Sequence, residues 1–262
     1  MKYKEMVEGI FVRRRNRFIA EVQVEEDVFE VHVRNTGRLR ELFIQGVPVL
    51  LEPSDNPERK TRFSLVCVKK KDQWISVDST APNQVVEEMV REGRLFSDVT
   101  YVKREKTFGK SRFDLYAEHG GHKHFIEVKG VTLEVDGVAK FPDAPTERGI
   151  KHIRELMEAK KQGYLATIIF VIQMKGVHTF MPNMETHPAF GDVLKEAKAA
   201  GVDIRAVDCI VTRESLIADQ NIQPPTKNPC GYVGKPTTPL LLPIYILSTS
   251  QWSIRYRSSS YG

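Results

Sequence analysis

Along residues 10 to 80, apolar and polar positions alternate in short runs broken by turn residues, the pattern of half-buried strands. Arg17 to Val24 (RFIAEVQV) and Val28 to Arg34 (VFEVHVR) flank Glu25-Glu26-Asp27 as a hairpin. Val47 to Leu51, Arg62 to Lys69 and Trp74 to Asp78 follow, separated by Gly, Pro, Asn and Asp. Five short strands in about 70 residues predict a small closed barrel, for which the OB-fold is the common five-stranded solution. The period changes at Pro82. Val85, Val86, Met89 and Val90 fall at helical spacing, with Asn83 as the expected N-cap and Gly93 as the stop. The pattern therefore divides near Ser79 to Pro82, with a β-barrel expected over residues 1–80.

Residues 81–220 read as an α/β domain. Strands are expected at Val99 to Glu105, Arg112 to Glu118 and His124 to Lys129, then a helix over Thr146 to Gly163 with Ile150, Ile153, Leu156 and Met157 on one face. Ala166 to Gln173 (ATIIFVIQ) is continuously apolar, as a strand covered on both faces must be. A helix from about Pro188 to Ala200 and a strand from Asp203 to Val211 complete a mixed sheet. Residues 221–262 are rich in Pro, Ser and Thr and hold no period; they are expected to be a poorly ordered or additional tail.

Composition changes this picture little. The net charge of +5 is partly an effect of the tail, which holds Lys227, Lys235, Arg255 and Arg257 and no acid; without those four cations it falls to +1. Basic character is otherwise local, at Arg13, Arg14, Arg15 and Arg17, at Arg59, Lys60 and Arg62, and at Lys69, Lys70 and Lys71. Such clusters form either solvated faces or phosphate-contacting stripes. Phe18, Phe43, Phe63 and Trp74 are either stacking platforms for single strands or barrel core. No apolar run approaches the roughly 18 residues of a membrane helix, and MKYKEMVEGIFVRRR has no apolar h-region, so no membrane partner is expected. Cys67, Cys209 and Cys230 lie far apart without zinc spacing and suit a reducing cytoplasm.

The candidate chemistry lies in Ser111 to Lys129, SRFDLYAEHGGHKHFIEVK. Glu127 and Lys129 are two apart on a strand and share a face. A hairpin through His119-Gly120-Gly121 brings Asp114 alongside them. Two carboxylates and an ammonium converging at a strand end can hold a hard divalent cation and position a water; the same residue types also make ordinary ion-paired faces. His119, His122 and His124 lack a fourth ligand for zinc.

Helix, three meandering strands, helix, strand is the order of the core shared by PD-(D/E)xK metal-dependent nucleases, with Asp114 and Glu127-Val128-Lys129 at the motif positions. The chain also resembles the sugar fermentation stimulation protein A (SfsA) family. The resemblance is carried by NRF at Asn16, NTG at Asn35, PN at Pro82, SRFD at Ser111, EVKGVTL at Glu127, FPDAPTERG at Phe141, HIREL at His152 and FVIQ at Phe170. It spans roughly residues 10 to 218 and implies an OB-fold joined to a PD-(D/E)xK nuclease-like domain in a prokaryotic DNA-binding protein. On that resemblance Asp114 and Glu127 would hold Mg²⁺ or Mn²⁺, and Lys129 would complete the catalytic set. Glu87 or Glu88 would be the third acid.

Thr146 or Asp143 is expected to cap the helix after the FPDAPTERG run, and Arg148 and His152, four apart, to share its face. Double- or single-stranded DNA is expected to meet Arg15, Arg17, Arg38, Arg59 and Lys60 on the barrel. On the second domain, Ser111, Arg112, Thr146, Arg148 and His152 are the expected contacts. Two functions follow: a DNA-binding protein with a metal-dependent phosphodiesterase site, or a non-catalytic DNA-binding regulator of sugar (maltose) metabolism on a nuclease scaffold. Metal-dependent cleavage is what separates them.

Overall fold

The computed structural model describes residues 1–222; the tail expected from residue 221 lies, apart from its first two positions, outside the described residues. The chain opens with strands β1 (Val7–Arg14), β2 (Ile19–Val24), β3 (Asp27–Val33), β4 (Pro48–Pro53), β5 (Phe63–Lys70) and β6 (Gln73–Ser76). β1 pairs with β2 and β4, β2 with β3, and β5 with both β4 and β3, so the first five strands close on themselves. Ala20, Val22, Val31, Val49 and Leu65 fill the interior with no exposed area. The strand number matches the expectation, but the membership differs. β1 was not anticipated, because its apolar residues are diluted by Gly9 and arginines. Gly9 is required there: a Cβ would stand 2.6 Å from Val22 Cγ1 and 2.8 Å from the Gln23 carbonyl oxygen. β6, expected as the fifth stave, instead extends the sheet outward from β5.

Helix α1 (Ala81–Arg91) follows, then β7 (Val99–Phe108), β8 (Ser111–His119), β9 (His122–Val131), β10 (Leu133–Val135), β11 (Val138–Phe141), α2 (Glu147–Lys161), β12 (Leu165–Ile172), β13 (Thr179–Pro182), α3 (Pro188–Ala199), β14 (Asp203–Val211) and β15 (Leu216–Asn221). The main sheet has the order β15-β14-β12-β9-β8-β7. β9, β12 and β14 are parallel, whereas β7, β8 and β9 form an antiparallel meander. The short β10, β11 and β13 form a separate three-stranded sheet that their lengths hid from the pattern.

β12 explains why both sheet faces are covered. Ile168, Phe170 and Ile172 pack with Ile153 and Leu156 of α2 and with Phe190 of α3, while Ile169 and Val171 pack with Val85, Val86 and Val90 of α1. Each such fully buried side chain contributes about 1.5–3 kcal/mol. The same second core takes in Leu50, Val66 and Cys67 from the outer wall of β4 and β5, so barrel and α/β parts pack as one compact unit.

α1 begins at Ala81, three residues before the start that an Asn83 cap would set. Its N-cap is Thr80, and Thr80 donates through N–H and Oγ1 to Asp78 Oδ1 at 2.9 and 2.7 Å. Asn83, expected as the cap, lies inside the helix. A proline in the first turn places the cap upstream of itself. Among the described residues no helix is long and apolar enough to cross a membrane.

Candidate nuclease-like site

The β8–β9 hairpin sets the site. Its turn is Gly120-Gly121 between the paired residues His119 and His122, with φ +52 and +78, a geometry that suits glycine. The ladder runs inward to Leu115 opposite Ile126 and there it stops. At the next position Asp114 takes over with its side chain: Oδ2 accepts the Val128 N–H at 2.9 Å and Oδ1 accepts from Asn83 Nδ2 of α1 at 3.0 Å. Asp114 thus stands at a break in the ladder, where its carboxylate replaces a backbone acceptor.

Glu127, on β9, is 1% exposed. Its Oε1 accepts from Lys129 Nζ at 2.5 Å and from His152 Nδ1 of α2 at 2.5 Å. Its Oε2 is buried and has no hydrogen-bond partner among the described residues. Burial raises the cost of charge on Glu127, but the His152 hydrogen bond and the Lys129 charge outweigh it and hold the carboxyl below its usual range. Asp114 goes the other way. Burial first, then the Glu127 charge, push it up, against the Val128 N–H, Lys129 and Asn83. Two carboxylates with one raised and one uncompensated oxygen are a site whose negative charge is under-matched.

His152 does not face solvent. Its ring is 6% exposed, and Arg148 Nε approaches Nε2 at 3.5 Å, which leaves Nδ1 as the proton carrier toward Glu127. His152 thus bonds both Glu127 and Arg148 and also forms part of the wall of a basic cleft. Thr146 is committed as the α2 cap, Oγ1 accepting from Gly149 N–H at 3.0 Å, and its amide donates to His187 Nδ1 at 3.2 Å. Glu87 pairs with Arg91 at 2.7 Å and with Arg104, while Glu88 pairs with the terminal ammonium at 2.6 Å. The α1 residue that reaches the site is Asn83. Its signal was in the sequence: an amide one residue after a first-turn proline is too late to cap and is one helical turn from the buried Val86.

This cleft, of about 510 Å³, is lined by Lys110, Ser111, Arg112, Glu147, Arg148, Lys151 and His152. Four cations face one acid there. Ser111 is 5% exposed, and its Oγ has no hydrogen-bond partner among the described residues. Arg112 pairs loosely with Glu105 at 3.4 Å. On the barrel, Arg17, Arg38 and Lys60 are exposed, Arg59 is half-buried, and Arg15 is engaged by Glu21 and Glu30. Phe18 is 53% exposed, whereas Phe63 is core and Phe43 stacks on Phe11. His124 of the histidine trio is buried, bonded to His119 Nε2 and Thr167 Oγ1, and pushed down to about 3 by burial.

Asp114 and Glu127 are therefore the residues able to hold a metal; among the described residues no cluster of three or more His, Cys, Asp or Glu is assembled. The residue types suit a hard divalent cation, and the orphaned Glu127 Oε2 is the acceptor left over for one. Residues 80–215 match the family described as sugar fermentation stimulation protein RE domain, and residues 12–77 match the SfsA N-terminal OB domain. The chain belongs to the SfsA family. Among relatives of that family, the sugar fermentation stimulation protein homolog of Clostridium beijerinckii is 53% identical over 216 residues, 82% of this chain and 96% of the relative. The homolog of Desulfitobacterium hafniense DSM 10664 is 51% identical over 83% of this chain and 95% of its own length. The structure of Pyrococcus furiosus SfsA in complex with Ca²⁺ superposes with a TM-score of 0.79 at 30% identity, covering 86% of this chain and 98% of that one. The SfsA chain described above is thus an OB-like barrel followed by a mixed-sheet domain.

Proposed function

We propose that this SfsA protein binds DNA and hydrolyses its phosphodiester bonds at Asp114, Glu127 and Lys129, with Mg²⁺ or Mn²⁺. The observation that carries the reading is the buried, unpartnered Glu127 Oε2 beside an Asp114 whose carboxyl is pushed up. The Ca²⁺ in the Pyrococcus furiosus relative supports a divalent cation in this family. When bound, the cation would make a water acidic enough to attack and offset charge on a phosphorus oxygen. The chain supplies the rest. The His152 hydrogen bond fixes the rotamer of Glu127, and Asn83 and the Val128 amide fix that of Asp114. Lys129 keeps its ammonium within reach of the attacked group, and Arg112, Arg148 and Lys151 in the adjoining cleft neutralise the flanking phosphate.

A second reading is favoured by one specific feature. Glu87 and Glu88 are both paired elsewhere, so no third acid from α1 joins the site. A scaffold that keeps DNA binding without cleavage would look the same.

The test is to incubate plasmid and single-stranded DNA with and without Mg²⁺ or Mn²⁺, beside Lys129→Ala. Cleavage that needs the metal and is lost in the variant is the expected result. DNA binding with no cleavage under either metal selects the regulatory reading. Binding that is indifferent to salt between low and moderate ionic strength would falsify the phosphate-neutralising footprint.

A further inference from the structure

A second cavity, of about 280 Å³, opens where the barrel meets the sheet. Gly130, the residue after Lys129, forms part of its wall. The barrel contributes Asn35, Thr36 and Gly37, and the other side is formed by Thr132, Lys140 and Asp143.

The walls are held by hydrogen bonds. Arg14 donates to the carbonyl oxygens of Asn35 at 2.6 Å, Gly37 at 2.5 Å and Arg38 at 3.0 Å, so the barrel loop is fixed from below. Asn183, 6% exposed, holds the opposite loop through the Pro142 carbonyl at 3.0 Å. Gln173, 1% exposed, joins the floor to the barrel by donating to Ser76 Oγ at 3.1 Å and the Asp78 carbonyl at 3.0 Å. Two glycines keep the space open or tight as needed. A Cβ on Gly130 would stand 2.6 Å from Gln173 Oε1, and one on Gly37 would stand 2.9 Å from Asn35 Oδ1 and 3.3 Å from Asp143 Oδ2.

The two cavities differ in charge. The cleft beside His152 has four cations against one acid, whereas the seam cavity has one of each, Lys140 and Asp143. A phosphate is drawn to the first. A neutral, planar group with hydrogen-bonding edges suits the second, which adds Phe141 and Leu39 as apolar surface to the amide, hydroxyl and carboxylate groups. Glu127 to Gly130 is three residues of extended strand, about 10 Å, comparable to the reach of one nucleotide from its phosphate to the far edge of its base.

We infer that the seam cavity receives one nucleobase, unstacked from the strand whose phosphate lies at Asp114, Glu127 and Lys129. This rests on the proposed function and sharpens it: the substrate is single-stranded DNA or a duplex position that can be opened. Asp143 and Thr132 face the polar edge of the base, and Lys129 lies between base and phosphate.

The experiment is an abasic scan of a single-stranded hexanucleotide against the full chain, in Ca²⁺ and again in EDTA, repeated with Asp143→Leu. Asp143 is exposed, so the variant leaves the core intact; Gly37→Val blocks the same space from the barrel side. The expected result is one position at which removing the base weakens binding roughly fivefold to a hundredfold, with that sensitivity lost in Asp143→Leu. A strand that binds with the same abasic cost in both proteins overturns the base pocket and leaves the phosphodiesterase reading standing. No strand binding at any salt overturns both. Protection of the protein by maltose and by no nucleoside assigns the cavity to a neutral sugar and overturns the inference.

Discussion

Lys175 reaches two carboxylates at once: its Nζ lies 2.7 Å from Asp208 Oδ2 and 2.7 Å from Asp219 Oδ2, and the other oxygen of Asp208 accepts the Gln220 amide at 2.8 Å. Lys129 also stands near two carboxylates, but its 2.5 Å bond goes to Glu127, and Glu127 Oε2 is left without a partner. Both clusters hold two acids and one lysine, so counting charges does not tell them apart. What differs is satisfaction. At Lys175 the hydrogen bonds to Asp208 and Asp219 outweigh burial and raise the ammonium above its ordinary range, and the bridge fastens β15 onto β14. At Lys129 one acid is held low and the other is pushed up. A structural ion cluster closes on itself, whereas a binding cluster keeps an unmet demand.

Replacing each lysine in turn is the strongest way to break that contrast. Lys129→Ala is expected to lower metal-dependent cleavage by about 10²–10⁴-fold while leaving the melting temperature nearly unchanged, because His152 still holds Glu127. Lys175→Ala should do the reverse. Asp208, 2% exposed, would lose its cation, at a cost of about 1–3 kcal/mol after allowing for the partial exposure of Lys175 and Asp219. Cleavage at a permissive temperature should stay within twofold or so. Denaturant melts and plasmid nicking read both; equal stability losses would erase the distinction.

A smaller effect should come from the cation itself. At ten times its dissociation constant, Mg²⁺ or Mn²⁺ should stabilise the fold by about 1.4 kcal/mol, an effect absent in Glu127→Gln. The pH dependence has a definite sign. Because the Asp114 carboxyl sits above its ordinary 3.8 in the folded protein, the unfolded chain releases that proton first, and stability from this group falls as pH rises through the window above 3.8. Asp114→Asn should therefore melt higher than the parent at neutral pH without metal, with the gap narrowing toward acid. Glu127 contributes oppositely: held below 4.5, it stabilises at neutral pH and loses that contribution as pH falls through its lowered value. A parent and an Asp114→Asn variant with parallel pH curves would remove Asp114 from the under-matched pair.

The arrangement of α1, the meander, α2, β12 and β14 was legible because long periodic segments carry their own signal: β14 runs from Asp203 to Val211 as its pattern indicates, and α2 caps at Thr146. The i, i+2 rule placed Glu127 and Lys129 on one face, and the hairpin glycines brought Asp114 beside them. Other features were not legible for identifiable reasons. β1 carries too many arginines to look like a buried strand, and Arg14 is half-buried only because it donates to several carbonyl oxygens at once. His152 was expected with Arg148 as a phosphate contact, and its bond to Glu127 was not legible, since spacing on a helix cannot say which side of it meets a buried carboxylate from another element. The seam cavity needs two parts of the chain to meet, and no local period encodes that.

Asn83 offers the finest probe of the contrast. At the closed cluster the second oxygen of Asp208 is held by a backbone amide, which no substitution removes. At the open one, Asp114 Oδ1 depends on a side chain, and Asn83→Ala deletes it while the Val128 amide remains on Oδ2. Losing that donor should raise the Asp114 carboxyl further, since the Asn83 bond is among the groups that lower it. The helix itself should tolerate the change, because Thr80 rather than Asn83 caps it and alanine is the better helix former. Stability should move by no more than about 1 kcal/mol, while affinity for Mg²⁺ or Mn²⁺ falls by about tenfold, as when the outer partner of a ligating group is removed. Calorimetric titration of the metal separates the two effects. An Asn83→Ala protein that takes up the ion as tightly as its parent would mean that Asp114 is not oriented for a cation at all, and that the two clusters differ less than their hydrogen bonds suggest.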